Sequence, residues 1–289
     1  MQQLTYIVSG TADAQRKAEQ AKEKLDRIPH VESLLITIAA PCEMAAEKAG
    51  SMVNAVRELF PHARILAHTC ALKMADLCLD TEGAMLTFTA FESSRVEFVT
   101  VEGNTPASEA KESIARFVGA RPHTKAVEIL VVGLMDQLGA LLEEGTAMDE
   151  RIAVFGAFVD SPPMGVHGYL IADDAELRFG MAAIVFHGET LDAHAVRNFG
   201  WNELGREIVA TRVDGCTVKE LDGGIPLRIY ERYFGIKGDG DFSSDAALFP
   251  LCFEEEDGSV SARVPLKIEA GSGELTFGLP MQAGTKFRL

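Results

Sequence analysis

The first seventy residues alternate short apolar runs with segments whose apolar side chains recur every three or four positions, and this rhythm constrains the fold more than any other feature. Leu4–Ser9, Leu34–Ala40 and Arg64–His68 read as strands. Between them, Ala14, Ala18, Ala21, Leu25 and Ile28 fall on one helical stripe that Pro29 ends; Ala45, Ala49, Met52, Val53, Val56 and Leu59 fall on another that stops at Pro61. A strand-helix-strand-helix-strand order points to parallel pairing, because a parallel neighbour needs a crossover long enough to hold a helix.

Downstream, Ala84–Phe91 and Arg95–Val101 read as paired strands, Glu109–Val118 as a helix and Val127–Leu134 as a return to the sheet. A helix near Met135–Ala147 leads into a strand over Ile152–Phe158, and Gly165–Ala172 with Arg178–Gly188 reads as an antiparallel hairpin turned at Asp173-Asp174. Leu191–Phe199, Glu207–Val213 and Cys216–Leu221 add strands, Pro226–Phe234 a helix, and the tail carries strands near Leu248, Arg263–Glu269 and Glu274–Leu279. The fold class is α/β, with mixed parallel and antiparallel sheets and packed helices. Gly235–Asp245, polar and glycine-rich, is a candidate domain seam.

A chain of 289 residues, 47% hydrophobic, can bury a large core. Its apolar runs fall far short of the ~20 residues of a membrane-spanning helix, and the amino terminus lacks the basic and apolar regions of a secretory signal, so the cytoplasm is expected. Five cysteines without C-x-x-C spacing suggest reduced thiols. A formal charge of −16 opposes binding to nucleic acid or to an anionic membrane surface. There is no G-x-S-x-G, P-loop, G-x-G-x-x-G or H-E-x-x-H motif, and the acidic loop Asp239–Asp245 lacks the glycine and terminal glutamate of a calcium hand.

One segment carries a family resemblance. Phe199-Gly200-Trp201-Asn202-Glu203-Leu204-Gly205, then Ile208–Thr211 and Val218-Lys219-Glu220-Leu221-Asp222-Gly223-Gly224, resembles the G-W-x-x-x-G…V-T…V-x-E-L-D-G pattern of FIST domains. The likeness covers most of the chain. Leu35–Ala40 with Ile65–Cys70 is similar to the family's first strand-helix-strand unit, and Ile129–Gly133 with Gly156 and Asp160 is similar to its second. It implies a layered two-lobe architecture, with a FIST N-like sensory domain over residues 1–222 and a partial FIST C-like domain over 223–289. It further implies an intracellular signalling module, not an enzyme, that binds an amino acid or related metabolite and serves an output domain or partner such as a kinase or cyclase. Some relatives resemble heme-dependent nitric oxide sensors, so heme is the one cofactor the likeness suggests. Two departures stand out: the family's small-residue turn is replaced by Ala67-His68-Thr69-Cys70-Ala71-Leu72, and FIST modules usually continue beyond the point where Leu289 stands.

The candidate ligand contacts are His68, Thr69, Cys70, Asp160, Trp201 and Asp222. His68 and Cys70, two apart at a strand end, share one face and offer imidazole and thiol ligands to a metal or heme iron; a loop histidine beside a buried thiol is the plainer reading. His187, ending an apolar strand beside Gly188, is the second candidate heme ligand, against a satisfied strand-end histidine. Trp201 either stacks on a ligand or plugs two sheets together. Asp160 sits in a loop stiffened by Pro162-Pro163, facing a cleft or solvent. Asp222, before a glycine, is first a turn former. The alternatives from other classes are an enzyme using a cleft thiol (Cys42 or Cys70) or carboxylate, and a scaffold that binds a protein through its sheet surface.

Overall fold

The computed structural model describes residues 1–70, 73–75, 78–80, 82–133, 149, 151–159, 168–194, 205–238, 242–246, 248–254, 260–269, 271–278 and 280–288. The chain forms two compact units, residues 1–134 with 144–195, and residues 135–143 with 196–289.

The first unit contains β1 (Gln2–Val8), α1 (Thr11–Leu25), β2 (Ser33–Ala40), α2 (Ala46–Leu59), β3 (Arg64–Thr69), β4 (Lys73–Ala75), β5 (Cys78–Asp80), β6 (Ala84–Phe91), β7 (Arg95–Glu102), α3 (Ala107–Gly119), β8 (Thr124–Val132), β9 (Ala153–Phe158), β10 (Leu170–Ala172), β11 (Ala175–Leu177) and β12 (Gly180–His187). One sheet runs β1-β6-β2-β3-β10-β11 and a second runs β7-β12-β8-β9. The β2–β3 and β8–β9 pairs are parallel, as crossovers containing α2 and the long connection after β8 require.

Alternation along β2 and β3 divides their side chains between two cores. Ile36, Ile38, Ile65 and Ala67 pack with Ala14, Ala18 and Ala21 of α1 and with Ala49, Met52, Val53 and Val56 of α2. The run of alanines on α1 lets the two helices approach one another closely over the sheet. Leu35 and Leu66 point the other way and join Leu170 against Val96, Leu130, Ala182 and Ile184 of the second sheet, so the two sheets pack face to face. Each fully buried Leu or Ile contributes about 1.5–3 kcal/mol.

The second unit has β13 (Ile208–Asp214), β14 (Thr217–Leu221), α4 (Leu227–Phe234), α5 (Phe242–Ala246), β15 (Leu251–Glu254), β16 (Val260–Arg263), β17 (Pro265–Ile268), β18 (Leu275–Phe277) and β19 (Lys286–Phe287). Its main sheet is antiparallel, in the order β17-β18-β14-β13-β19. Gly235 ends α4 with a left-handed φ of 70°, and Tyr230, Leu275, Phe277 and Phe287 form the core.

The mixed α/β class follows the sequence reading, and four local expectations change. Ala84–Phe91 and Arg95–Val101 do not pair: β6 lies between β1 and β2, whereas β7 pairs with β12 in the other sheet. The hairpin at Asp173-Asp174 joins β10 to the short β11, and the chain then crosses at Phe179 into β12, which pairs with β7 and β8. Gly235–Asp245 is not a seam but lies inside the second unit, where Ile236 and Phe242 are buried. Leu191–His194 carries no regular structure, and the helix expected near Met135–Ala147 lies outside the described residues.

Candidate functional site

The carboxyl ends of β2, β3, β8 and β9 meet at one edge of the first unit, the position at which open α/β sheets present ligand sites. The edge is built from the end of β3. The N–H of Cys70 donates to the carbonyl of Ala40 (2.7 Å), extending the parallel ladder one residue past the strand. That continuation keeps the alternation, placing His68 and Cys70 on the same side of the strand.

Thr69, 1% exposed, is the polar tie at this edge. Its hydroxyl donates to the carbonyl of Val159 and accepts from the N–H of Tyr169 (3.4 Å), while its own N–H donates to the Tyr169 carbonyl (3.2 Å). Three segments distant in sequence are thereby joined through one buried side chain, which meets the requirement that buried polar groups find partners.

His68 is half-buried, and its Nδ1 lies 2.9 Å from the carbonyl oxygen of Thr69. A carbonyl only accepts, so Nδ1 carries the proton and Nε2 keeps a free lone pair. Burial lowers the imidazole's affinity for a second proton, and the Thr69 carbonyl offsets this in part. The site therefore presents a neutral imidazole at neutral pH.

Tyr169 was not among the residues singled out in the sequence, and it is the most informative residue of this edge. It is 1% exposed, it packs in the core beneath α1 and α2, and its hydroxyl has no hydrogen-bond partner among the described residues. Burial pushes the phenol well above its ordinary range, with Arg178 opposing and Cys42 adding to the shift. Arg178 stands opposite it at the open end of the β10–β11 hairpin, its guanidinium 5.7 Å from the Tyr169 ring. Next in sequence, Phe179 is 47% exposed and lies against Gly103, where a Cβ would stand 2.2 Å from the ring; a side chain at that position would displace the aromatic. The only sequence signal for this group is a tyrosine opening a strand and an Arg-Phe-Gly triplet closing a hairpin.

His187 stands elsewhere. It pairs with Thr124 at the start of β8, whereas Thr69 reaches Val159 beside Val131 at the end of β8. At ~3.3 Å per residue the two histidines sit roughly 20 Å or more apart along the strands. The imidazole borders an open cleft of about 890 Å³ lined by His30, Glu32, Glu97, Arg95, Arg121 and His123, among others. Glu97 pairs with Arg121 and lies 3.9 Å from the Nε2 of His187, a sealed nitrogen with no hydrogen-bond partner among the described residues. Burial lowers the His187 pKa; Glu97 raises it, and Arg121 and Arg95 lower it further. These surroundings do not fit a heme, which needs an accessible axial nitrogen and an apolar slot for the ring. Among the described residues no group of three or more His, Cys, Asp or Glu side chains is placed to hold a metal ion.

Asp222 belongs to the second unit and adopts a left-handed φ of 51°. Its Oδ1 accepts from the N–H of Val209 (2.9 Å) and its Oδ2 pairs with Arg206 (2.6 Å), so both oxygens are engaged in the turn. Asp160 and Trp201 lie outside the described residues.

The first unit is thus a face-to-face pair of mixed sheets with helices on the outside and a polar, partly unsatisfied edge at its parallel strand ends. The chain belongs to the FIST N domain family, whose model matches residues 34–224, and FIST domains are sensory domains of signal-transduction proteins. No curated protein matches the sequence. No helix among the described residues is long and apolar enough to cross a membrane.

Proposed function

We propose that the chain is a cytoplasmic sensor that binds an amino acid or related metabolite at the end of β3 and signals through a change of conformation to an output domain or partner kinase or cyclase. The sensory part is assigned to residues 1–222, and residues 223–289 to the opening of a FIST C-like domain. The observation that supports the reading best is the placement of His68, Thr69 and Cys70 at the carboxyl edge of the parallel β2–β3 pair of a FIST N domain. There the neutral imidazole keeps Nε2 as an acceptor for a ligand donor, and the Thr69 tie couples any displacement to β9 and β10. Binding and release suffice for this role, so no bond is broken and no catalytic group is assigned.

A thermal melt of the whole chain against amino acids, nucleotides, central metabolites and hemin tests the reading. A ligand at a hundred times its Kd stabilises the native state by about 2.7 kcal/mol, an effect visible as a saturable rise in Tm. A selective rise with one metabolite supports the sensor; turnover of that metabolite would replace it with an enzyme, and a flat panel would replace it with a protein-binding scaffold.

A further inference from the structure

Among the buried groups of the first unit, the Tyr169 hydroxyl is the one whose environment is incomplete in a way that points outward. A phenol taken out of water without a partner costs about 1–3 kcal/mol, and such groups persist where something else completes them. Two neighbours define what that something is. Arg178 commits only its Nε, to Oε1 of Glu176 (2.9 Å), which leaves both terminal nitrogens without a partner among the described residues. Glu176 in turn keeps its second oxygen, and both side chains are about half exposed, at 46% for Arg178 and 49% for Glu176.

We propose that Tyr169 and Arg178 form the receptor for the carboxylate of a small zwitterionic ligand, with Glu176 taking its cationic group. The Tyr169 O–H and the guanidinium fork both donate, and a carboxylate accepts from each; the fork matches two carboxylate oxygens in one plane. Only the Nε of Arg178 is engaged by Glu176, so a carboxylate taken by the terminal nitrogens leaves that pair intact. The net charge of −16 repels a dianion at long range, whereas a zwitterion carries no net charge to repel. Because the hydroxyl is sealed in the ligand-free chain, the carboxylate reaches it only when the core around it, with Cys42 near the phenol, gives way. Occupancy and conformation are then the same event.

The inference rests on the sensor reading and places the ligand's carboxylate on the helix-covered face of the sheet, across the strand from His68. The test compares the full chain with its Tyr169→Phe and Arg178→Gln variants, each melted and titrated calorimetrically with L-amino acids, their carboxamides and the matching carboxylic acids without the amine. The expected result has four parts: the wild-type chain binds an amino acid, its carboxamide fails to bind, each variant binds about ten-fold or more weakly, and ligand-free Tyr169→Phe melts no lower than wild type. Wild-type binding retained in full by both variants overturns the inference and leaves the sensor standing. A ligand-free Tyr169→Phe that melts several degrees lower shows a hydroxyl already satisfied by internal water, and also overturns it. A wild-type chain that binds no amino acid removes the inference together with the reading beneath it.

Discussion

Asp173 and Asp222 close two strand ends with the same set of bonds. Each adopts a φ of 51°, and each donates its N–H to a neighbouring strand, Asp173 to Ile65 and Asp222 to Val209 (2.8 Å in both). Each accepts the returning N–H on its own Oδ1 at 2.9 Å and an arginine on Oδ2 at 2.6 Å, Arg64 in one case and Arg206 in the other. The carboxylate replaces the carbonyl that the ladder would otherwise present, and aspartate tolerates the left-handed backbone that a larger side chain resists. Asp173→Ala is expected to cost about 1–3 kcal/mol, because the Ile65 N–H loses its acceptor and Arg64 its partner; Asp173→Asn should lose less. Urea denaturation of the two variants ranks them.

Asp222 also predicts an acid limb. The Val209 N–H, and after it Arg206, hold its carboxyl below the ordinary value of 3.8. A folded pKa below the unfolded one means that the contribution is intact above pH 3.8 and is lost as the pH falls through the lowered value. Melting temperature measured from pH 5 downwards should fall less steeply for Asp222→Asn than for the wild-type chain.

His68 and His187 act in the opposite region of the scale. Burial lowers both, so below the ordinary value of 6.5 the unfolded chain takes up protons that the folded chain refuses. Stability should therefore be level above pH 6.5 and decline as the pH drops beneath it. For His187 the facing groups are Glu97, which favours the proton, and Arg121 and Arg95, which oppose it. Replacing His187 with Gln should flatten part of the decline in a melt series across pH 7.5 to 5, and an unchanged slope would remove His187 as a source of it.

Thr69→Val keeps the shape of the side chain and deletes its hydroxyl. The Val159 carbonyl and the Tyr169 N–H both lose a buried partner, for an expected loss of about 1–3 kcal/mol. Thr69→Ser, which restores the oxygen, should recover most of it. Equal stability of the Val and Ser variants in denaturant would show that the tie contributes nothing.

Much of the first unit was legible because its elements obey one periodicity each. The alanines of α1, the Met52–Val56 face of α2 and the runs of β2 and β3 all declare themselves by spacing. Pairing was less legible. Arg95–Glu102 and Ala84–Phe91 are adjacent in sequence and alternate well, yet nothing local states that Ser93-Ser94 carries the chain from one sheet to the other. The same holds for Arg178-Phe179, the two residues that separate β11 of one sheet from β12 of the other. At the edge of β3, residue type and spacing were enough to nominate His68, Thr69 and Cys70. Tyr169 was read only as part of a strand, since what distinguishes it is a missing hydrogen bond, and absence of a partner is a property of the folded core alone. For Asp222 the turn chemistry visible in Asp222-Gly223 is what the structure shows, with both carboxylate oxygens spent on it.

Gly180 follows Phe179 at the head of β12, and a Cβ there would stand 2.4 Å from the carbonyl oxygen of Val101. Gly180→Ala should therefore force the β7–β12 ladder apart at its end and cost about 1–3 kcal/mol, checked by equilibrium unfolding against Gly103→Ala, where a movable ring and not a backbone oxygen stands in the way.

That tight seat gives β12 a mechanical character. The strand is hydrogen-bonded along both sides, to β7 and to β8, so it cannot bow when its end is pulled. Arg178 is tethered two residues before it and His187 is its last residue, with eight residues of strand, roughly 25 Å, in between. Held on both sides, the strand keeps Arg178 and His187 at a fixed spacing, so the two opposite rims of the domain are set by one rigid span.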